Sequence, residues 1–366
     1  MAEATRRNLL LLYDFLQTCG GAERVLHCLH AHLAAPVCVG FVEEASFGKL
    51  FATDDLIDLG AGSKLPALAI ARVLHAFNGR GARVAASYQT RIFSGSYAPL
   101  ANRGIGYGRS IYYCHTPPRF LYDLRDHYQT RFPPWQRPLL AALRRWLQPR
   151  YEAAVRGMDV VLANSRNVQR RLQDYLGVAS RVVYPPVDTD RFRWLADDGY
   201  FLSTARLEPL KRVDMLVRAF KRMPSKRLVV SSGGSELARL KALAADAPNI
   251  QFSGWLDDAQ LRALMGRARA SIYVPVDEDF GMSPVESMAA GKPVIGVAEG
   301  GLLETVADGE TGILLSPQFG EEDVVAAVLA LDSNRAASMR AACIHRAERF
   351  SSTRFLKEIG AVLHCG

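Results

Sequence analysis

The 366-residue sequence contains no C-x-x-C pair, no histidine–cysteine cluster with zinc-site spacing, and no apolar run near the roughly 18 residues that cross a bilayer. It also lacks an internal repeat, a low-complexity segment and a G-x-G-x-x-G turn after a predicted strand. These absences exclude a disulfide scaffold and a zinc module, and they argue against a dinucleotide oxidoreductase. The six cysteines are predicted to be small buried residues in a reducing compartment, so we predict a cytoplasmic protein.

Positive charge is in excess, with a formal net charge of +8, and much of it lies in one segment. Between Arg131 and Arg156, arginines interleave with tryptophan and leucine against the single acid Glu152. The pattern predicts an amphipathic helix with two interpretations. Either its arginines are solvated around a core-facing stripe, or the helix lies on an anionic membrane surface at the inner face of the plasma membrane. No aromatic-basic motif accompanies the net charge, and we predict no nucleic-acid partner.

Short apolar runs alternate with amphipathic helical stretches along the chain, which predicts parallel sheets wrapped by helices. Pro185 and Pro186 interrupt the alternation, and residues 185–198 are predicted to be an interdomain linker. We therefore predict two α/β domains, residues 1–186 and 187–348, followed by a last segment at 349–366. The strands are predicted at 8–14, 36–41, 83–87, 110–115, 159–163, 181–184, 200–204, 227–231, 250–253, 270–274, 293–297 and 312–315. The helices are predicted at 21–33, 165–176, 210–221, 236–244, 257–265 and 284–290, and from 321 to the end. Ser165 is the predicted N-cap of the second of these helices.

The segment from Glu278 to Pro293 follows a predicted strand and leads into a predicted helix. Gly281 allows a ligand to approach the backbone closely, and Ser283 and Pro284 are predicted to be the N-cap and the first helical residue. Free N–H groups and the positive end of the dipole make a helix start an anion site, so a diphosphate would be held there largely by backbone.

Two glutamates in this segment have competing interpretations. Glu286 either binds a ligand or forms an S-x-x-E capping box with Ser283. Glu278 is an ordinary loop acid, a ligand contact, or part of a metal-binding run with Asp277 and Asp279. Adjacent acids on an extended loop point in alternate directions, which disfavours the metal interpretation.

Two basic residues, Arg206 and Lys211, lie where the predicted strand 200–204 passes into a helix. Ligands of open α/β sheets bind at that carboxyl edge. A guanidinium fork and an ammonium point charge suit a diphosphate whose charge grows as it departs. The alternative is a pair of solvated cations, which the dipole of the following helix slightly disfavours.

Two features lie in the first half. Gly20 and Gly21 follow the first predicted strand and permit a tight turn beside a substrate, although alone they indicate only a loop. His115 ends another predicted strand before two prolines, where it either contacts a ligand or bonds to neighbouring backbone.

Together these residues resemble the family 4 retaining glycosyltransferases, in the right order and over nearly the whole chain. Glu278 and Glu286 match the family's E-x7-E motif, and Arg206 and Lys211 match its pair of diphosphate-binding basic residues. The other matching landmarks are Gly20-Gly21, His115, Ala163-Asn164-Ser165, Tyr184-Pro185-Pro186-Val187-Asp188 and Gly300-Gly301.

The resemblance implies the GT-B fold, in which two Rossmann-like domains face each other across a cleft and a C-terminal helix crosses back onto the first domain. It also implies that Glu286 binds the ribose, that Glu278 and His115 contact the transferred hexose, and that Arg206 and Lys211 stabilise the leaving diphosphate. Glu278, Arg206, Lys211 and His115 are thus the predicted catalytic residues, and no metal or other cofactor is required. The predicted donor-binding residues are Gly20, Gly21, Gly254, Trp255, Leu256, Gly281, Met282, Ser283 and Glu286.

The donor is suggested by the run Glu278-Asp279-Phe280-Gly281, which replaces the family's commoner Glu-Gly-Phe-Gly. This run and residues 112–119 resemble a mannosyltransferase branch that builds bacterial O-antigen and other surface polysaccharides. The resemblance implies transfer of mannose from GDP-mannose to a glycan or a polyprenyl-diphosphate-linked acceptor. UDP- or ADP-sugar donors stay open, as does a non-catalytic module that binds nucleotide sugars.

Overall fold

A computed structural model describes residues 8–17, 20–43, 55–64, 66–130 and 132–364 of the chain. The chain divides into two compact units, the first ending at Tyr184 and the second beginning at Pro185. Each unit is a parallel sheet with helices, so the predicted fold class is confirmed at the level of each unit. The predicted packing of the last segment on the first domain stays a prediction.

The first unit is built on a seven-stranded parallel sheet with the order β3-β2-β1-β4-β5-β6-β7. The strands are β1 (Leu9–Tyr13), β2 (Val37–Val39), β3 (Leu56–Asp58), β4 (Thr90–Ser94), β5 (Arg109–Cys114), β6 (Val160–Ala163) and β7 (Arg181–Val182). Strand β1, between β2 and β4, is buried along its whole length, which explains why it is a continuous apolar run rather than an alternating one.

Helices of the first unit cover this sheet. They are α1 (Gly21–Leu33), α2 (Pro66–Ala76), α3 (Ala82–Ala86), α4 (Arg125–Thr130), α5 (Arg137–Arg156) and α6 (Arg166–Leu176). A π-helical turn, Phe77–Gly81, joins α2 to α3. Ser165 caps α6 by accepting the Val168 N–H at 3.0 Å, which confirms that predicted N-cap.

One predicted strand of the first unit is wrong. Residues 83–87 lie mostly in α3, and the neighbouring strand is β4, which was not predicted. The run Ala82–Ala86 contains three alanines, which favour helix, and it continues directly from the π-helical turn.

The second unit is built on a six-stranded parallel sheet with the order β10-β9-β8-β11-β12-β13. Its strands are β8 (Tyr200–Ser203), β9 (Arg227–Val230), β10 (Ile250–Phe252), β11 (Ala270–Ile272), β12 (Val294–Val297) and β13 (Gly312–Leu315). Its helices are α7 (Val213–Lys221), α8 (Leu237–Leu243), α9 (Asp258–Arg267), α10 (Met282–Ala289), α11 (Leu302–Thr305), α12 (Glu321–Ala330), α13 (Ser333–Glu348) and α14 (Ser352–His364). No helix within the described ranges is long and apolar enough to cross a membrane.

The predicted linker, residues 185–198, contains a single 3-10 turn as its regular structure and is fixed to the second unit. The Leu195 N–H donates to the Gly266 carbonyl at 2.8 Å. Asp197 accepts hydrogen bonds from Arg269 at 3.1 Å and from Ser333 at 2.8 Å. The segment is therefore irregular, as predicted, but it is anchored at several points.

Candidate active site

Two loops at the carboxyl edge of the second sheet meet at an ion pair. Lys211 ends the 3-10 turn Pro209–Lys211 after β8, and Glu278 lies in the loop after β11. The Lys211 Nζ and Glu278 Oε2 atoms are 2.6 Å apart. Because β8 and β11 pair directly at the centre of the sheet, the loops that follow them are neighbours. The structure thus brings together a predicted phosphate-binding cation and a predicted sugar-binding acid.

Tyr273, which the sequence analysis did not single out, completes this cluster. Its Oη lies 3.1 Å from Lys211 Nζ and donates to Glu278 Oε1 at 3.0 Å. Burial raises the pKa of the Tyr273 phenol well above its usual range, and the Glu278 carboxylate raises it further. The phenol therefore stays protonated at neutral pH and acts as a hydrogen-bond donor to Glu278. The available signal in the sequence was a tyrosine at a strand end, directly before the acidic loop.

The charge on Lys211 is maintained by its neighbours. Burial alone would lower the pKa of this ammonium, but the Glu278 carboxylate and then Tyr273 outweigh it, so the pKa of Lys211 is raised. The ammonium lies over the Tyr273 ring, 5.4 Å from its centre. The group is cationic throughout the physiological range, as a diphosphate ligand requires.

Arg212 is a second residue that the sequence analysis missed, and it supports the loop that carries Glu278. Its guanidinium donates to the Val274 carbonyl at 2.7 Å and to the Pro275 carbonyl at 2.8 Å, and it pairs with Glu299. Arg212 has a positive φ of 51°, so the predicted helix at 210–221 is divided into a 3-10 turn and α7. The left-handed residue turns its side chain toward the neighbouring loop.

The start of α10 differs from the prediction. Gly281, with φ of 92°, is the N-cap and has no side-chain capping bond, so the helix begins at Met282. Ser283 is therefore not the cap, and Pro284 is the third helical residue rather than the first. Glycine tolerates the positive φ that lets the helix start earlier. The N–H at the third helical position makes no intrahelical bond, so proline, which has no N–H, is accommodated there.

The new helix start removes one interpretation of Glu286. This residue is the fifth of α10, so it is not the N3 partner of a Ser283 cap. Its side chain is only 4% exposed. A carboxylate buried one turn into a helix is not a solvated surface residue, and its role as a ligand contact stays a prediction.

Gly300 and Gly301 have a structural explanation in the same site. The Gly301 N–H donates to the Glu278 carbonyl at 2.7 Å. A Cβ at Gly300 would lie 2.4 Å from that same carbonyl oxygen, and a Cβ at Gly301 would lie 2.4 Å from Phe280 Cα. Only residues without a side chain permit this approach, so Gly300 and Gly301 pack directly against the backbone of the Glu278 loop.

The loop with the predicted donor-binding residues Gly254, Trp255 and Leu256 lies beside the Arg206 loop. The Leu207 N–H donates to the Gly233 carbonyl at 3.0 Å, and a Cβ at Gly233 would lie 2.3 Å from Trp255 Nε1. Trp255 is 71% exposed, between Gly254 and the half-buried Leu256. The strand order places the loops that follow β8, β9 and β10 side by side along one edge of the sheet. These loops contain Arg206, Gly233 and Trp255, respectively.

The first unit holds the remaining predicted residues at the carboxyl edge of its own sheet. Gly20 is the N-cap of α1, and its N–H donates to Glu23 Oε2 at 2.9 Å. The same carboxylate accepts the Tyr13 hydroxyl at 2.8 Å, so Glu23 ties the glycine turn to the end of β1. Gly21 begins α1, as predicted.

His115 follows the last residue of β5, with its ring 5.2 Å from that of Tyr113 in an edge-on arrangement. Burial lowers the pKa of His115 to about 4. The imidazole is therefore neutral at physiological pH, with one nitrogen as donor and the other as acceptor.

Two family models match the chain. The model described as "Glycosyltransferase Family 4" matches residues 19–191, and the model described as "Glycosyl transferases group 1" matches residues 187–350. Their shared border falls at the linker that separates the two units.

Curated relatives match over part of their length. A D-inositol 3-phosphate glycosyltransferase of Mycobacteroides abscessus is 32% identical over 190 residues, which cover 46% of this chain and 43% of the relative. An alpha-1,3/1,6-mannosyltransferase of Rhizomucor pusillus is 26% identical over 260 residues, covering 56% of this chain and 54% of the relative. The chain thus spans about half the length of these curated relatives.

Solved structures match over nearly the whole chain. Anabaena HepE in complex with UDP and glucose is 19% identical with a TM-score of 0.78, covering 98% of this chain and 100% of that one. WaaG, a glycosyltransferase involved in lipopolysaccharide biosynthesis, is 15% identical with a TM-score of 0.76, covering 98% and 100%. At these identities the likeness shows the fold alone, which is the two-domain, Rossmann-like GT-B fold.

Proposed function

Because the chain belongs to the family 4 glycosyltransferases, we propose that it is a retaining hexosyltransferase that uses a sugar-nucleotide donor. The observation that carries this proposal is the cluster of Lys211, Glu278 and Tyr273 at the carboxyl edge of the second sheet. It joins a fixed cation to a fixed carboxylate in the loop that leads into α10. A donor presents a diphosphate next to a hexose, and this cluster offers a group for each.

The diphosphate is proposed to bind Arg206, Lys211 and the backbone N–H groups that open α10, at Met282 and Ser283. An ammonium has three donors, so Lys211 can keep its bond to Glu278 and still bind a phosphate oxygen. These groups oppose the negative charge that grows as the nucleoside diphosphate leaves, and one such donor typically contributes ~3 kcal/mol to the transition state.

The sugars and the base have separate partners in this proposal. Glu286 binds ribose hydroxyls, and Glu278 binds hydroxyls of the hexose as an acceptor oriented by Tyr273. The exposed Trp255 ring offers a surface on which a nucleobase can stack. His115, neutral above pH of about 4, donates to a hexose hydroxyl without adding positive charge.

No metal is required in this proposal, because two basic side chains and a helix start supply the positive charge near the diphosphate. Turnover should therefore persist after dialysis against EDTA and in its presence. Abolition of turnover by EDTA, with recovery on adding Mg²⁺, would contradict this part of the proposal.

We propose GDP-mannose as the donor and a glycan or polyprenyl-diphosphate-linked saccharide as the acceptor. The Glu278-Asp279-Phe280-Gly281 run supports mannose by resemblance, and one curated relative is a mannosyltransferase. A solved structure of similar fold contains UDP-glucose, which makes that donor the second candidate. The buried cysteines Cys38 and Cys343 are in no disulfide, which supports action in the reducing cytoplasm.

The test is a transfer assay with GDP-mannose, UDP-glucose and ADP-glucose, each paired with a polyprenyl-diphosphate-linked acceptor. The product is identified by mass spectrometry, and NMR of the new linkage reports whether the α configuration is retained. We expect transfer of mannose with retention. Transfer from UDP-glucose alone would overturn the donor assignment. Nucleotide binding without any transfer across a wide acceptor panel would instead favour a non-catalytic binding module.

A further inference from the structure

Helix α5 and the 3-10 turn before it, Pro134–Gln136, expose large apolar side chains in the first unit. Trp135 is 76% exposed and Leu139 is 68% exposed. Trp146 and Phe132 are more than one-third exposed. Leu139, Ala142 and Trp146 are spaced at i, i+3 and i+7, so they share one face of the helix, and all three are exposed. Exposed aromatic and leucine side chains in such a row are unusual on a soluble surface.

The same helix buries a different face, so the exposed row is not the core-facing stripe. Leu147, Tyr151 and Val155, spaced by four residues, are fully buried in the core of the first unit. The Tyr151 hydroxyl lies 3.0 Å from that of Tyr112 on the sheet, which fixes the rotation of the helix. The helix thus has two apolar faces, one that builds the core and one that the unit leaves open.

Arginines border the exposed row. Arg145 is exposed on the helix, and the Arg150 guanidinium lies 4.4 Å from the centre of the Trp146 ring. Arg137 donates to the Phe132 carbonyl at 3.2 Å, at the start of the helix. The one acid of α5, Glu152, is instead occupied by Arg156 and Gln148.

Arg144 does not contribute to this surface, which corrects the set of cations that the sequence pattern suggested. Its side chain is turned inward, is only 9% exposed, and donates to Gln129 Oε1 at 3.1 Å. A charge reversal at Arg144 would therefore disturb packing rather than test surface charge.

We propose that the surface formed by Phe132, Trp135, Leu139 and Trp146, bordered by Arg145 and Arg150, docks onto an anionic lipid bilayer. Tryptophan is favoured at the boundary of headgroups and acyl chains, and arginine can keep its charge among phosphates while its stem covers apolar surface. An amphipathic helix that combines both lies in the plane of such an interface. The charge is complementary to anionic headgroups, and the inference holds whichever donor the second unit binds.

The first test is co-sedimentation of the full chain with vesicles, without donor or acceptor. We expect binding to vesicles of phosphatidylcholine with phosphatidylglycerol, weaker binding at high salt, and little binding to phosphatidylcholine alone. Trp135→Ser with Leu139→Ser should reduce binding tenfold or more. Arg145→Glu should reduce it by about 25-fold, since each basic residue near the surface contributes about a factor of five and reversal counts twice.

Matched controls come from the second unit. Leu329 is 56% exposed on α12, and Arg218 is exposed on α7. Leu329→Ser and Arg218→Glu change the same residue types away from the proposed surface and should bind vesicles as the wild type does. Equal losses in these controls would show that the effect is general charge or solubility, and would overturn the proposal.

The second test locates the contact. The chain has four tryptophans, of which Trp135 and Trp146 lie on the proposed surface while Trp194 and Trp255 lie in the second unit. Brominated lipids should quench the wild type, and Trp135→Phe with Trp146→Phe should lose most of the quenching while keeping vesicle binding. Undiminished quenching in that variant would overturn the proposal. The proposal would also be overturned if the chain bound no vesicles and formed a dimer in ultracentrifugation that Leu139→Ser dissociates. A second copy of the chain would then be the partner. Neither readout depends on transfer, so a failed transferase assay leaves both tests intact.

Discussion

The carboxyl edge of the second sheet and helix α5 of the first unit expose different kinds of surface. The former is a network in which Lys211, Glu278 and Tyr273 bond to one another, while Arg212 and two glycines contact the loop that carries Glu278. The latter exposes tryptophan and leucine beside arginines, with an independent core face beneath. Preorganised charges suit a small anionic ligand with fixed geometry, whereas an open apolar face suits a broad and fluid partner.

The largest expected effect is on turnover, from Lys211→Ala. Removing the ammonium withdraws one cation from the leaving diphosphate and leaves the Glu278 carboxylate without its closest charge partner. We expect kcat to fall by about 100-fold or more, with a smaller change in thermal stability. Steady-state kinetics with GDP-mannose and a melting curve measure the two effects.

The matched control for that variant is Lys221→Ala. Lys221 pairs with Asp246 at 2.6 Å, away from the candidate site, and should leave kcat unchanged. Full activity in Lys211→Ala would show that the second unit does not bind the diphosphate at this edge.

A smaller effect is expected from Glu286→Gln, which keeps the size of the side chain and removes its charge. If Glu286 binds the ribose, KM for the donor and Kd for GDP should both rise by about tenfold, because bonds to a charged acceptor are the stronger ones. Calorimetric titration with GDP measures this without turnover. A rise in KM with an unchanged Kd for GDP would place Glu286 against the hexose rather than the ribose.

Tyr273→Phe should have a still more selective effect. The ring stays, but Glu278 loses the hydroxyl that orients it, so kcat/KM for the donor should fall a few-fold to tenfold. Affinity for GDP, which lacks the hexose, should be unchanged. Tyr200→Phe, in the neighbouring strand β8, removes a hydroxyl that donates to Leu264 and serves as the control. Equal loss of GDP affinity would indicate a merely structural role for Tyr273.

The smallest change in turnover is expected from substitution of His115. The clearer measurement for this residue is the free energy of unfolding as a function of pH. Burial lowers the pKa of His115 to about 4 in the folded state, below the 6.5 of an unperturbed imidazole, so the folded state favours the neutral ring. The stabilisation is fully present above pH 6.5 and is lost as pH falls toward 4, by about 2 kcal/mol between pH 7 and 5. His115→Asn should flatten this acid loss in urea titrations. An unchanged pH dependence would show that the ring is more hydrated than its position indicates.

The sequence predicted elements best where local chemistry decides them. The bounds of α1 match the predicted helix at 21–33, and β13 matches the predicted strand at 312–315. Ser165 caps α6 as predicted, because its hydroxyl bonds within its own first turn. The order of the motifs also placed Lys211 and Glu278 on loops that prove to be neighbours.

The sequence failed where distant contacts decide the outcome. Ser283 has the chemistry of a cap, yet the helix starts from Gly281, whose positive φ glycine tolerates, in a loop on which Gly300 and Gly301 pack. Tyr273 and Arg212 act on residues that other strands bring to them, so no local spacing identifies them. The sequence pattern indicates that Arg144 is one more surface arginine, but in the structure its side chain is buried by the packing of α5.

The central claim is that a nucleoside diphosphate binds the carboxyl edge of the second sheet between residues 204–211 and the start of α10. Hydrogen–deuterium exchange with and without saturating GDP tests it without any assumption about acceptor or turnover. We expect slowed exchange at 204–211, 254–256 and 278–286, with helix α5 unaffected. Slowed exchange confined to the first unit, or none at 278–286 despite measured binding of GDP, would contradict it.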